Sequence, residues 1–549
     1  MGDGGPGFCA GTGQGPVMTG TADNDRSVSL TLRLFLASVL FLSSAGGLVV
    51  EIVAGRLIAP YVGMSLYTWT AIIAVVLAGL SVGHWIGGRL AGPEADRPDA
   101  LRRLAGALAC AGASSLLALV ILNDLAVGLL ATGLGQVTLV VILTTALFLL
   151  PSLFVGMVAP IVTKLAVDAE PDRTGAVLGR MYALGTIGSI AGTLSAGYVF
   201  ISWVGSAGTL IAVTLLYVLL ALCCAIVAGR RSAVVAAICI VAAGVPLAGT
   251  GAARGAFTSR CTVESDYFCI VIDDFAPFSG RQSNLMVLDN LVHSINDKAD
   301  PSLLYSPYIQ FVDEFARSRF PLDFPGVDFA AFFIGGGGYS LPRSWAATVE
   351  GARLVVAEID PAVTEAARQH MWLEPGQPGL EIHHRDARAL LQSLPRMPRF
   401  DVIFGDAFHD ISVPTHLVSR EFHAEVAARL RPNGFYVVNV VDAARNPLFL
   451  AALAHTLAVD FNSVEIWREA VADAPAETDG RVTYIVVASA DPRPASVMHS
   501  AFGIQRTWQR VDIDTLVDQD MPDPVLLTDD FAPVDRLLSR VLFADIPAN

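Results

Sequence analysis

Apolar segments long enough to cross a bilayer recur from Leu34 to about Thr250 and then stop. They fall near 34–55, 69–88, 103–122, 136–159, 181–202, 207–228 and 232–250. Each is close to the ~20 residues that a helix needs to span ~30 Å of hydrocarbon. The pattern predicts seven membrane helices. Small residues recur inside them, as at Gly185, Gly188 and Gly192, where membrane helices approach closely. Residues 1–30 are rich in Gly, Thr and Asp, carry no apolar run or cleavage-site pattern, and read as a disordered leader.

Beyond residue 255 the apolar runs shorten and alternate between strand and helix lengths. Segments 261–273 and 284–295 predict a small β-hairpin region. Ala330–Ile334 is a buried-strand run, and 354–360, the stretch before Asp386, 400–406 and 435–441 follow as further strands. Pro361 opens a helix at a favoured first position. The helix 421–430 stops at a Pro/Gly signal, and 463–468 with 481–489 would close the sheet as an antiparallel pair. The expected architecture is a multi-pass α-helical membrane domain over 31–252 and an α/β domain over 255–549.

Composition agrees with this division. Hydrophobic residues make up 53% of the chain and charged ones 16%, against about 25% charged in a soluble domain. Residues 1–254 hold 13 basic and 11 acidic groups, leaving 23 and 40 for residues 255–549. The first half is near neutral at +2 and the second carries −17. Neither offers the basic face that phosphate binding needs, so nucleic acid is excluded as an expected partner, and the lipid bilayer is expected as one.

Basic residues in short loops orient membrane helices. Arg89, Arg97, Arg102 and Arg103 share one loop, Lys164, Arg173 and Arg180 the next but one, and Arg230 with Arg231 the loop between the last two segments; the alternate loops hold only Arg56. The leader and the even loops are therefore expected in the cytoplasm of a multi-pass cell-membrane protein. With seven crossings, residues 255–549 then lie outside, although one miscounted helix reverses this. The stretch 123–135 is the weak point of the count, reading as a loop or a re-entrant piece. Glu51, Arg56 and His84 are expected to be interfacial or structural. Cys261 and Cys269 stand eight residues apart and pair if exported, or remain two thiols; they lack metal-site spacing, and no metal is expected.

The chemistry is concentrated at strand ends. Gly335 to Gly338 make a tight turn after the first buried strand. A helix start there turns backbone N–H groups toward a ligand, and glycines let it come close. Glu358 lies about 20 residues past the glycines, where an acid binds the hydroxyls of a ribose, with Asp360 beside it. Asp386 ends a third strand, and Asp406 with Asp410 a fourth. One Asp after a strand is commonly a helix N-cap, but recurrence after successive strands points to one ligand edge. No Lys-Ser/Thr pair follows the glycines, which excludes a triphosphate-binding loop.

The motifs ESDYFCIVID, LMVLDNLVHS, FFIGGGGYSLPR, VVAEIDP, HHRDARALL and FDVIFGDAF resemble the spermidine synthase (polyamine aminopropyltransferase) family. The membrane half resembles the multi-pass segment of its membrane-bound members. The resemblance implies a Rossmann-like, S-adenosylmethionine-dependent methyltransferase-like fold. It also implies aminopropyl transfer from decarboxylated S-adenosylmethionine to putrescine or a related amine, releasing methylthioadenosine. That donor is a co-substrate, with S-adenosylmethionine as the alternative, and no permanently bound cofactor is expected. Carried over by position, Gly335, Gly336, Gly337, Glu358, Asp360, Asp386 and Ala387 contact the donor, Asp406 is the base, and Asp410, Tyr305 and His293 hold the amine.

The amine site departs from the family pattern. Gly338 and Tyr339 stand where an Asp usually follows the glycines, Tyr305-Ser306-Pro307 replaces a Tyr-His-Glu run, and three residues rather than two separate Asp406 from Asp410. A methyltransferase and a non-catalytic polyamine transporter or sensor are the competing readings. The expected partners are a small amine and a nucleoside donor, with a homo-oligomer formed through the α/β domain.

Overall fold

The computed structural model describes residues 21–92, 96–397, 399–407, 413–470, 480–517, 523–539 and 541. Eight helices come first: α1 (Thr21–Val62), α2 (Leu66–Leu90), α3 (Arg97–Leu130), α4 (Gln136–Gly156), α5 (Val158–Ala169), α6 (Thr174–Ser195), α7 (Ile201–Ala228) and α8 (Arg230–Ala253). Helices α4 and α5 form one apolar stretch, Gln136–Ala169, and the set provides seven helices long and apolar enough to cross a membrane. The helix α1 begins inside the segment read as a leader, and residues 1–20 lie outside the described residues. The doubtful stretch 123–135 is the end of α3 and a short turn into α4.

Close backbone approach explains the small residues. A Cβ on Gly188 or Gly192 of α6 would stand 2.4 or 2.2 Å from the carbonyls of Phe41 and Ala45 in α1. One on Gly83 of α2 would stand 2.1 Å from the Leu153 carbonyl in α4.

The expected hairpin region is a four-stranded antiparallel sheet, β1 (Val263–Glu264), β2 (Cys269–Asp274), β3 (Ser283–Leu288) and β4 (Leu291–Asp297). Segment 284–295, read as one strand, reverses direction at Asp289, whose φ of 55° makes the turn.

A nine-stranded sheet follows, built from β5 (Ala330–Ile334), β6 (Arg353–Ala357), β7 (Leu380–His383), β8 (Phe400–Gly405), β9 (Leu430–Ala443), β10 (Ser463–Glu469), β11 (Arg481–Ser489), β12 (Val497–His499) and β13 (Thr507–Val511). Its order is β12-β13-β10-β11-β9-β8-β5-β6-β7. The strands β9, β8, β5, β6 and β7 run parallel, while β11 and β10 form the expected antiparallel pair. The edge strand β12 and its neighbour β13 had no counterpart in the periodicity.

Helices cover both faces of this sheet. Phe332, Ile334 and Val355 pack against Leu390, Phe422, Val426 and Leu453 on one side, while Ala331, Phe333 and Leu354 pack against Phe311, Trp345 and Val363 on the other. The chain runs outward from β5 to β7 and then returns to the other side of β5 as β8. The crevice between the carboxyl ends of β5 and β8 is therefore the switch point, where open α/β sheets bind ligands.

Candidate active site

At that switch point lies a cavity of about 290 Å³, walled by Phe268, Leu288, Ile334 and Leu417 and edged by Glu358, Asp386 and Asp406. A larger cavity of about 1180 Å³ lies beyond β10 and β13, away from all three acids.

The glycine turn is shaped by backbone contacts. Gly335 has φ +96°, and a Cβ on it would stand 2.7 Å from the Asp406 carbonyl. The N–H groups of Gly336 and Gly337 donate to Glu358 Oε2 at 2.8 and 3.3 Å. Glu358 Oε1 accepts from the Asp360 N–H at 2.9 Å. Burial pushes the Glu358 carboxyl above its ordinary pKa, against the pull of these three donors. Gly338 donates to Ser294 Oγ at 2.8 Å, and its Cβ would stand 2.5 Å from Ser294 Cβ. No side chain fits at 338 in this backbone.

The other strand-end acids divide their roles. Asp360 caps the helix Pro361–His370 by accepting from the Ala362 N–H at 2.9 Å, and its second oxygen accepts from Ser265 Oγ. It lies beneath the cavity rather than in its wall. Asp386 caps Ala387–Ser393 through the Ala389 N–H at 2.8 Å while its other oxygen meets His416 Nε2 at 2.7 Å. Burial raises its pKa, but those two partners outweigh it and hold the carboxyl below the usual range. Asp386 is thus a helix N-cap and also part of the cavity edge. Ala387 lines the cavity beside it.

Asp406 follows β8 at the cavity floor. Tyr308 donates its hydroxyl to Oδ2 at 3.1 Å and Asn439 donates its amide to Oδ1 at 3.0 Å. Burial pushes the carboxyl up to about 6 despite both donors. His293 lines the same cavity, and burial lowers its imidazole to about 4, so it is neutral near pH 7. Among the described residues its Nε2 has no hydrogen-bond partner.

Of the proposed amine contacts, His293 lies at the cavity. Tyr305 does not: its hydroxyl donates to Asp297 at 3.4 Å and its ring packs edge-on against Phe275. Asp410 lies outside the described residues. Tyr308 and Asn439 were missed. Tyr308 is three residues past Tyr305, and Asn439 is the polar residue within the apolar run FYVVNVV, a signal that was available. Among the described residues no group of three or more His, Cys, Asp or Glu side chains forms a metal cluster.

No family model matches the chain. A polyamine aminopropyltransferase of Vibrio vulnificus is 25% identical over 213 residues, spanning 37% of this chain and 68% of that protein. A probable spermidine synthase from Corynebacterium glutamicum, a solved structure, is 20% identical, with 49% of this chain and 96% of that one covered and a TM-score of 0.41. The spermidine synthase of Thermotoga maritima is 18% identical, with 38% and 67% covered and a TM-score of 0.29. Human methyltransferase-like protein 13, solved with SAH, is 21% identical, with 31% and 74% covered and a TM-score of 0.26. Taken with the strand-end motifs, the sequence match makes this chain spermidine synthase-like.

Proposed function

We propose that the chain is a membrane-held aminopropyltransferase that uses decarboxylated S-adenosylmethionine and putrescine or a related diamine. The observation that carries this reading is Asp406, a buried carboxylate bonded to Tyr308 and Asn439 on the floor of a nucleoside-sized cavity. The donor's ribose hydroxyls would meet Glu358, its adenine would lie by Asp386 and Ala387, and the glycine turn would pass under its sulfur-bearing carbon.

The chemistry follows from charge. An ammonium has no lone pair with which to attack, so the acceptor must be held as a cation and then deprotonated. Asp406 above pH 6 is an anion that can do both. The amine nitrogen then attacks the aminopropyl carbon on sulfur. A C–N bond forms, the C–S pair returns to sulfur to leave neutral methylthioadenosine, and the lost proton resides on Asp406. The −17 charge of residues 255–549 favours approach of such cations.

The purified full-length protein, given the donor and putrescine, should release methylthioadenosine. Asp406→Asn should reduce that rate roughly 10²-fold or more, the scale of a lost general base. Absence of product with every diamine tried would falsify the assignment.

A methyl-transfer reading is favoured by one observation: Gly338 has no space for the acid that would hold an aminopropyl ammonium. S-adenosylhomocysteine rather than methylthioadenosine as the product would identify it.

A further inference from the structure

The rim of the cavity is joined to the membrane half. The segment between Cys261 and Cys269, which are disulfide-bonded, carries Tyr267 and Phe268 into the cavity wall. From it, Ser265 Oγ donates to Asp360, whose N–H donates to the ribose-binding candidate Glu358. On its other side the same segment is held by two membrane helices. Arg56 of α1 donates through one guanidinium nitrogen to the Tyr267 carbonyl at 2.8 Å and through the other to the Ser265 carbonyl. The Ser206 N–H in α7 donates to Glu264 Oε2 at 2.7 Å.

Arg56 was expected to be interfacial or structural, and it lies near the C-terminal end of α1, five residues after Glu51. Its fork is instead spent on two carbonyls of a single turn. A planar guanidinium that grips two acceptors fixes both the separation and the direction of the backbone it holds. From there the path to the ligand is short, because Tyr267 is itself in the cavity wall and Ser265 is two hydrogen bonds from Glu358.

We infer that Arg56 is a positioning residue for the nucleoside cavity, setting its rim from membrane helix α1. The membrane half is then part of the frame of the donor site as well as an anchor. This rests on the nucleoside reading of the cavity given above.

The test uses the full-length protein in detergent or liposomes, titrated separately with methylthioadenosine and with putrescine. In Arg56→Ala the Kd for methylthioadenosine rises about tenfold or more, as loss of two charge-assisted bonds at one rim requires. The Kd for putrescine stays within about twofold, because Asp406 and its partners are untouched. Arg56→Lys keeps the charge but a single point of contact, and lies between wild type and alanine. Wild-type affinity for methylthioadenosine in both variants overturns the inference, and so does an equal loss for both ligands, which marks general damage. If the alanine variant is not recovered folded, the lysine variant decides by the same comparison. A wild-type protein that does not bind methylthioadenosine overturns the nucleoside reading itself, and this inference with it.

Discussion

Asp406 shows how far a single side chain depends on its surroundings. An aspartate that follows a strand in water titrates near 4, whereas burial at the floor of the cavity lifts this one to about 6. Its two donors, Tyr308 and Asn439, oppose that rise by stabilising the anion. The sign for activity follows: protonated Asp406 cannot accept a proton, so kcat/KM should climb as pH rises through about 6 and level off above it. Tyr308→Phe removes one donor, and the rising limb should move up by about one pH unit, with activity down roughly twofold at neutral pH and roughly tenfold well below pH 6. An unmoved limb would show that the hydroxyl does not act on this carboxylate. The sign for stability is opposite. A folded pKa above the unfolded one favours the protonated fold, so the contribution of Asp406 is greatest at low pH and declines between about 4 and 6.

The glycine turn after β5 and the end of β8 are built as one unit. Gly335 combines a φ of +96° with a Cβ position 2.7 Å from the Asp406 carbonyl. Gly335→Ala therefore adds both backbone strain, about 1–3 kcal/mol, and a clash that pushes the two strand ends apart. It should lower the melting temperature and abolish nucleoside binding; unchanged calorimetric binding would show that this turn does not shape the donor cavity. The elements themselves were largely legible. The strand β5 and the centres of β6, β8 and β9 are apolar runs, as strands buried on both faces must be. The pair β3 and β4 was read as one strand because its turn at Asp289 and Asn290 interrupts the run only briefly. The short edge strand β12 and its neighbour β13 are only partly buried, with little periodicity to detect.

Across the molecule the decisive question is which side of the membrane the cavity faces. If all seven apolar helices cross a membrane, the arginines in alternate loops would put residues 255–549 outside. The Cys261–Cys269 disulfide suits an oxidising compartment on that side. A reporter fused after Asn549 should accordingly be active only outside the cytoplasm. The proposed transferase then requires an exported donor; a cytoplasmic signal would mean one span has been overcounted and would give the site direct access to the nucleoside pool. The two halves are also bolted together away from the cavity. Gln136 at the start of α4 donates to the Val62 carbonyl at 2.6 Å and accepts from Arg481 of β11 at 2.7 Å.

Periodicity alone was sufficient to predict the long apolar helices, the parallel strands and the acids at their ends. Each is a local consequence of 20-residue apolar length, buried-strand composition or the capping habit of aspartate, and needs no distant contact. Adjacency was decided only in three dimensions. That β8 returns beside β5, so that Asp406 faces the glycine turn, is a choice of strand order that no local pattern encodes. The partners that give the site its character come from far along the chain: Tyr308 is 98 residues from Asp406, Asn439 is 33, and Arg56 is 211 from Tyr267. A hydrogen bond depends on distance and angle in space, so these pairings exist only once the helices have packed across both faces of the sheet and α1 against the segment between Cys261 and Cys269.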